Sequence, residues 1–169
     1  MNGMDTGAIT EFAIVVAGFA GLVVAIAQRG GRVHPLDRYR MVTMLLYSFT
    51  AAFGALLPTI MHSFEIEGAK VWRLSGLCLA LLVAANLIAT QRYQRILTDD
   101  QRGQLRWWMY ALVMVGNGAI IAWLVGNYVG LLPGPASAPY FCGLVWQLVL
   151  ATILFVRLIV VERPARGAE

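Results

Sequence analysis

The chain has 169 residues, 59% of them hydrophobic and only 13% charged, and its mean hydropathy is +0.70. Soluble domains carry about 25% charged residues, so this composition excludes a soluble enzyme, a disordered chain and a nucleic-acid-binding domain. Thirteen Lys and Arg against nine Asp and Glu give a net charge of +4, and because the bases sit beside apolar runs, anionic lipid headgroups are their natural partner.

About 20 apolar residues cross a bilayer. Five such runs are predicted, at residues 8–27, 41–61, 71–90, 107–128 and 140–161. The expectation is an all-α, polytopic transmembrane helix bundle of five spans, one domain over residues 1–169. The connections are short, so successive helices should be antiparallel neighbours.

The first span has Asp5 and Glu11 ahead of it and Arg29 and Arg32 behind it. A signal peptide needs a basic leading region, so this run reads as a retained helix. It carries Ala13, Ala17, Gly21 and Ala25, a small residue at every fourth position, with Gly18 beside them. Such a face favours close helix packing, within the chain or with a second copy. Gly30 and Gly31 can end this helix, and Pro35 can begin the next.

The second span places Ser48 and Thr50 near its middle and Pro58 near its end. Pro58 should kink or end the helix and free a carbonyl around Gly54, which could bind an ion or water. In the third span, Arg73 lies at about the depth of Glu11. Either each reaches its own interface by snorkelling, or the two pair near the outer surface. Asn86 falls about 8 Å inward of midplane. Cys78 and Cys142, both inside apolar runs, read as small apolar fillers.

The segment Thr98-Asp99-Asp100-Gln101 reads as a capping box. The fourth span centres on Gly116-Asn117-Gly118. The glycines let a neighbour approach, and the amide can bond across the contact. The connection at 130–139 is uncharged and rich in Pro and Gly, hence a loop. The last span carries Gln147, about 5 Å outward of midplane, and Arg157 one turn before its end. Arg157 snorkels to the headgroups, or pairs with Asn86 or a lipid phosphate. A polar path can be drawn from Gln147 through Asn117 to Asn86; the simpler reading is interhelical hydrogen bonding.

Orientation follows from the bases. One side collects Arg29, Arg32, Arg38, Arg40, Arg92, Arg95, Arg102, Arg106, Arg163 and Arg166, and the other only Lys70 and Arg73. The N-terminus is therefore expected outside and the C-terminus in the cytoplasm. The first six of these arginines are the candidate anionic-lipid contacts. Trp72, Trp107, Trp108, Tyr128 and Tyr140 read as an interfacial aromatic belt.

Several stretches occur together: EFAIVVAGFAG at 11–21, DRYR at 37–40, ALLP at 55–58, WRLS at 72–75, YFCGLVW at 140–146 and FVRL at 155–158. This pattern resembles a family of uncharacterised small bacterial five-span inner-membrane proteins. The resemblance implies a location in the bacterial inner membrane and transfers no activity and no catalytic or binding residue.

No enzyme motif is found. His34 and His62 fall at opposite membrane faces, and no serine or cysteine has a histidine at a depth to activate it. No catalytic residue, metal ligand or cofactor is expected. The leading expectation is a non-enzymatic integral membrane protein acting through helix association, as a homo-oligomer or a small subunit of a membrane complex. The alternatives are an oligomeric channel using Asn117, Gln147 and Asn86, and a membrane enzyme acting on lipid.

Overall fold

A computed structural model of the protein describes residues 35–96 and 107–160, together with Glu11 and Gly18. Glu11 and Gly18 are both helical and exposed. The rest of the predicted first span, Gly21, Arg29, Arg32, His34, the capping sequence at 98–101 and the arginines at 102, 106, 163 and 166 lie outside the described residues.

Four helices follow in order: α1 (Pro35–Ser63), α2 (Ala69–Ile96), α3 (Trp107–Val129) and α4 (Ala138–Val160). Each is long and apolar enough to cross a membrane. Pro35 does open α1, since a first-turn proline gives up no intrahelical bond. At 1.5 Å per residue, the 29 residues of α1 and 28 of α2 reach about 43 Å, well beyond the roughly 30 Å hydrocarbon layer. α2 runs past residue 90, where the predicted third span ends. It stays helical to Ile96 because Gln91, Arg92, Gln94 and Arg95 are good helix formers with no breaker among them.

Two short connections turn the chain. After α1, Glu65 takes a left-handed φ of 60°, and the Ile66 amide reaches back to the Met61 carbonyl at 3.3 Å. After α3, Gly130 takes φ 80°, and the Leu131 amide donates to the Gly126 carbonyl at 3.0 Å. These are left-handed caps that satisfy the last carbonyls of each helix. The Asn127 side chain then donates to the Ala136 carbonyl at 2.9 Å and holds the expected Pro- and Gly-rich loop against α3.

The described helices alternate in direction. α1 packs mainly on α4 and α2, and α2 also packs on α3. One buried cluster joins α2, α3 and α4 through Leu79, Ala80, Val83, Ile120, Leu124 and Tyr140. A second joins α1 and α4 through Met44, Tyr47, Leu150 and Ala151. Lipid tails are as apolar as these side chains, so close packing and interhelical hydrogen bonds hold such a bundle, with little help from water exclusion. Polar contacts and close approaches are therefore the informative features.

Candidate polar site in the bundle interior

Asn117 and Gln147 meet. The Gln147 Nε2 donates to Asn117 Oδ1 at 2.9 Å, joining α3 to α4. Both side chains are almost fully enclosed, at 1% and 0% exposure. One bond satisfies half of each amide. Asn117 Nδ2 and Gln147 Oε1 are buried without a partner, as is Nε1 of the neighbouring Trp146. An unmade hydrogen bond in an apolar interior costs about 1–3 kcal/mol, so these atoms are strong attractors for any polar group that reaches them. The Tyr47 hydroxyl of α1 faces both Asn117 and Thr90.

The glycines flanking Asn117 divide the labour. A Cβ on Gly116 would meet Trp146 Cζ2 at 1.9 Å, whereas one on Gly118 would find nothing within 4 Å. Gly116 lets the indole lie on the α3 backbone. Gly118 faces outward and is exposed.

Asn86 does not bond to this pair directly; the Tyr47 hydroxyl and Thr90 stand between them, and Thr90 Oγ1 donates to the Asn86 carbonyl at 2.9 Å. The Asn86 side-chain amide turns to α1, donating to the Leu46 carbonyl at 3.1 Å and to Thr50 Oγ1. Thr50 itself bonds back to the Leu46 carbonyl at 2.8 Å. The rotation of α2 decides this, and periodicity in an apolar run does not report it. Asn86 is thus an α1–α2 fastener.

Pro58 neither ends nor interrupts α1, which continues to Ser63. The proline has no N–H to offer the Gly54 carbonyl four residues back. That carbonyl instead accepts from the Tyr140 hydroxyl of α4. A side chain, and not an ion or water, thus takes the freed carbonyl. Tyr140 correspondingly leaves the aromatic belt: it is buried at 1% exposure and packs edge-on against Trp72, with ring centroids 5.8 Å apart. Trp107, Trp108 and Tyr128 remain exposed.

Arg73 is exposed beside Gly130, and Glu11 is also exposed. Arg38, Arg92 and Arg95 are exposed at the end of the bundle where α1 and α3 start and α2 and α4 finish, with Arg40 and Arg157 half-buried there. Arg40 and Arg157 both line a cavity of about 260 Å³. Cys78 and Cys142 are free thiols. Among the described residues, no three His, Cys, Asp or Glu side chains are grouped to hold a metal ion.

Sequence reasoning missed the cavity, the Trp146–Gly116 contact and the Tyr140–Gly54 bond. Only the last had a signal, the proline four residues after a glycine in an otherwise apolar run. Comparison with family models, with curated proteins and with solved structures finds no match to this chain.

Proposed function

We propose that this is a non-enzymatic integral membrane protein that works by helix association, as a homo-oligomer or a small subunit of a membrane complex. The observation that carries the reading is the outward face of α3, where Gly118, Ala119 and Ala122 are all exposed. Gly118 has open space above it. Small residues on a lipid-facing surface let a second helix come close enough for backbone contact. The exposed Gly18 of the first predicted span extends the same character. Asparagine and glutamine amides at the bundle centre are neither nucleophiles nor proton donors, and this supports binding over catalysis.

The reading includes five spans, an outside N-terminus and a bacterial inner-membrane location, with anionic headgroups around the arginine-rich end. The sequence pattern and the arginine count support these features. Native mass spectrometry of gently extracted protein tests the association. The expected result is a defined oligomer or hetero-complex that Gly118→Leu, and separately Gly21→Leu, dissociates. A monomeric wild-type protein overturns the proposal.

A permeation reading draws on the unpartnered atoms of Asn117 and Gln147. Within one chain, the Leu79, Leu124 and Tyr140 cluster packs α2, α3 and α4 together, so a conducting path would run between copies. Flux into liposomes lost in Asn117→Leu would favour it.

A further inference from the structure

We infer that Asn117 and Gln147 bind a bridging water halfway across the bundle, fed from the cavity at the arginine-bearing end. The inference is independent of the association reading, and a hydrated pair is compatible with a protein that conducts nothing. Asn117 lies near the middle of α3 and Gln147 near the middle of α4. Their amides are joined at 2.9 Å. Each keeps one buried atom without a partner: Asn117 Nδ2, a donor, and Gln147 Oε1, an acceptor. The nitrogen and oxygen of one amide are about 2.2 Å apart. Across the 2.9 Å bond, the donor and the acceptor are therefore held within about 7 Å of each other. That span suits one water, or two in line, accepting from Asn117 and donating to Gln147.

The chemistry of the pair selects a neutral ligand. Buried water makes about three hydrogen bonds to groups that otherwise lack partners. The Tyr47 hydroxyl, which faces Asn117, supplies the third. Two amides and a phenol carry no charge to compensate an ion stripped of its water. The pair could have closed on itself through a second bond between the two amides, but Nδ2 and Oε1 do not make it. A molecule that both donates and accepts completes the ring.

The route opens from one side. Asn117 and Gln147 do not line the cavity of about 260 Å³, but Tyr47 and Thr90 do, and the Tyr47 hydroxyl faces both Thr90 and Asn117. Water occupies about 30 Å³ per molecule in the liquid, so the cavity has room for several. Its inner wall is polar, since Thr43, Tyr47 and Thr90 line it and are all buried. Nearer the helix ends, Gln91 donates to the Tyr110 hydroxyl at 3.0 Å and Gln94 to the Tyr39 hydroxyl at 2.6 Å, which continues the hydrogen-bonding surface outward. Beyond the pair, Leu79, Val83, Ile120 and Leu124 close the far side with packed apolar side chains.

The test is water-selective NMR of the full chain in micelles, with Asn and Gln side chains carrying nitrogen-15 and Asn117→Leu used to assign the signal. The Asn117 Nδ2 protons should show a direct cross-peak to long-lived water. The Asn86 Nδ2 protons should not, because that amide already donates to the Leu46 carbonyl and to Thr50 Oγ1. Val113→Phe, or Leu154→Phe from the facing helix, narrows the cavity and leaves the pair intact. On transfer to heavy water, either variant should slow exchange of the Asn117 side-chain protons toward the rate of the Leu124 backbone amide. The inference is overturned if the wild-type Asn117 protons show no contact with water, or if Asn86 shows the same contact. It is also overturned if both cavity variants, with helicity unchanged, exchange at the wild-type rate.

Discussion

Replacing Gly116 by alanine is the sharpest test of how α3 and α4 meet. The added Cβ would sit 1.9 Å from Trp146 Cζ2, 2.6 Å from Cε2 and 2.7 Å from Cη2. To restore ordinary contact beyond 3.4 Å, the indole must retreat by about 1.5 Å. A flexible chain end could absorb that displacement. A rigid bicyclic ring packed against both buried clusters can move only as a unit. Overpacking of this kind costs about 1–3 kcal/mol. Measured on the dissociated monomer, Gly118→Ala is the internal control, since its Cβ meets nothing within the chain; there a helical glycine-to-alanine change should be neutral or stabilising by up to about 1 kcal/mol. The assay is equilibrium unfolding in mixed micelles of detergent and sodium dodecyl sulfate, read by circular dichroism. Trp146→Leu should then relieve much of the Gly116→Ala penalty, giving a coupling energy of about 1 kcal/mol or more in the double-mutant cycle. Equal stability of Gly116→Ala and Gly118→Ala would refute the packing argument, as would strict additivity with Trp146→Leu.

Other outcomes follow from the same contacts. Tyr140→Phe should cost about 1–2 kcal/mol by orphaning the Gly54 carbonyl, and the cost should shrink in a Pro58→Ala background, where residue 58 regains its N–H; unfolding of the two single variants and the double variant measures this. Asn117→Leu alone leaves the whole Gln147 amide buried and unpaired, so it should destabilise more than the pair Asn117→Leu with Gln147→Leu. Coupling between Asn117 and Gln147 should fall near the 0.6 kcal/mol typical of membrane bundles, and a value of zero would mean that the 2.9 Å bond contributes nothing. Asn86→Leu should loosen α1 from α2, detected as faster cross-linking of cysteines placed at the two helix ends, with no effect on the Asn117–Gln147 pair.

The four described spans were legible because about 20 apolar residues in a row have few other uses. Their ends were less so. Gln91–Arg95 is polar enough to leave the membrane and helical enough to continue α2, and hydropathy registers only the first property. The similar level of Asn117 and Gln147 was readable from depth, but that they face each other was not. Nor was the turn of the Asn86 amide to α1. Depth puts a residue at a level, while rotation about the helix axis decides which neighbour it faces, and an all-round apolar helix carries no amphipathic signal for rotation. The same blindness hid Trp146 against Gly116 and moved Tyr140 from belt to interior. The cavity was invisible for a different reason: its lining comes from four separate helices, and no local pattern spans them.

Packing is unevenly distributed along the bundle axis. One half holds the Leu79, Leu124 and Tyr140 cluster and the bond from Tyr140 to Gly54, whereas the other half holds the smaller Met44, Tyr47, Leu150 and Ala151 cluster beside a cavity of about 260 Å³. Opening free energy follows local packing, so thermal breathing concentrates at the arginine-bearing end, with the far end acting as a pivot. In hydrogen exchange, amides around Leu79 and Leu124 should be the last to exchange, and those around Thr43 and Leu154 should precede them. Anything that fills this cavity adds packing to that half, and by mass action it would raise the stability of the whole bundle.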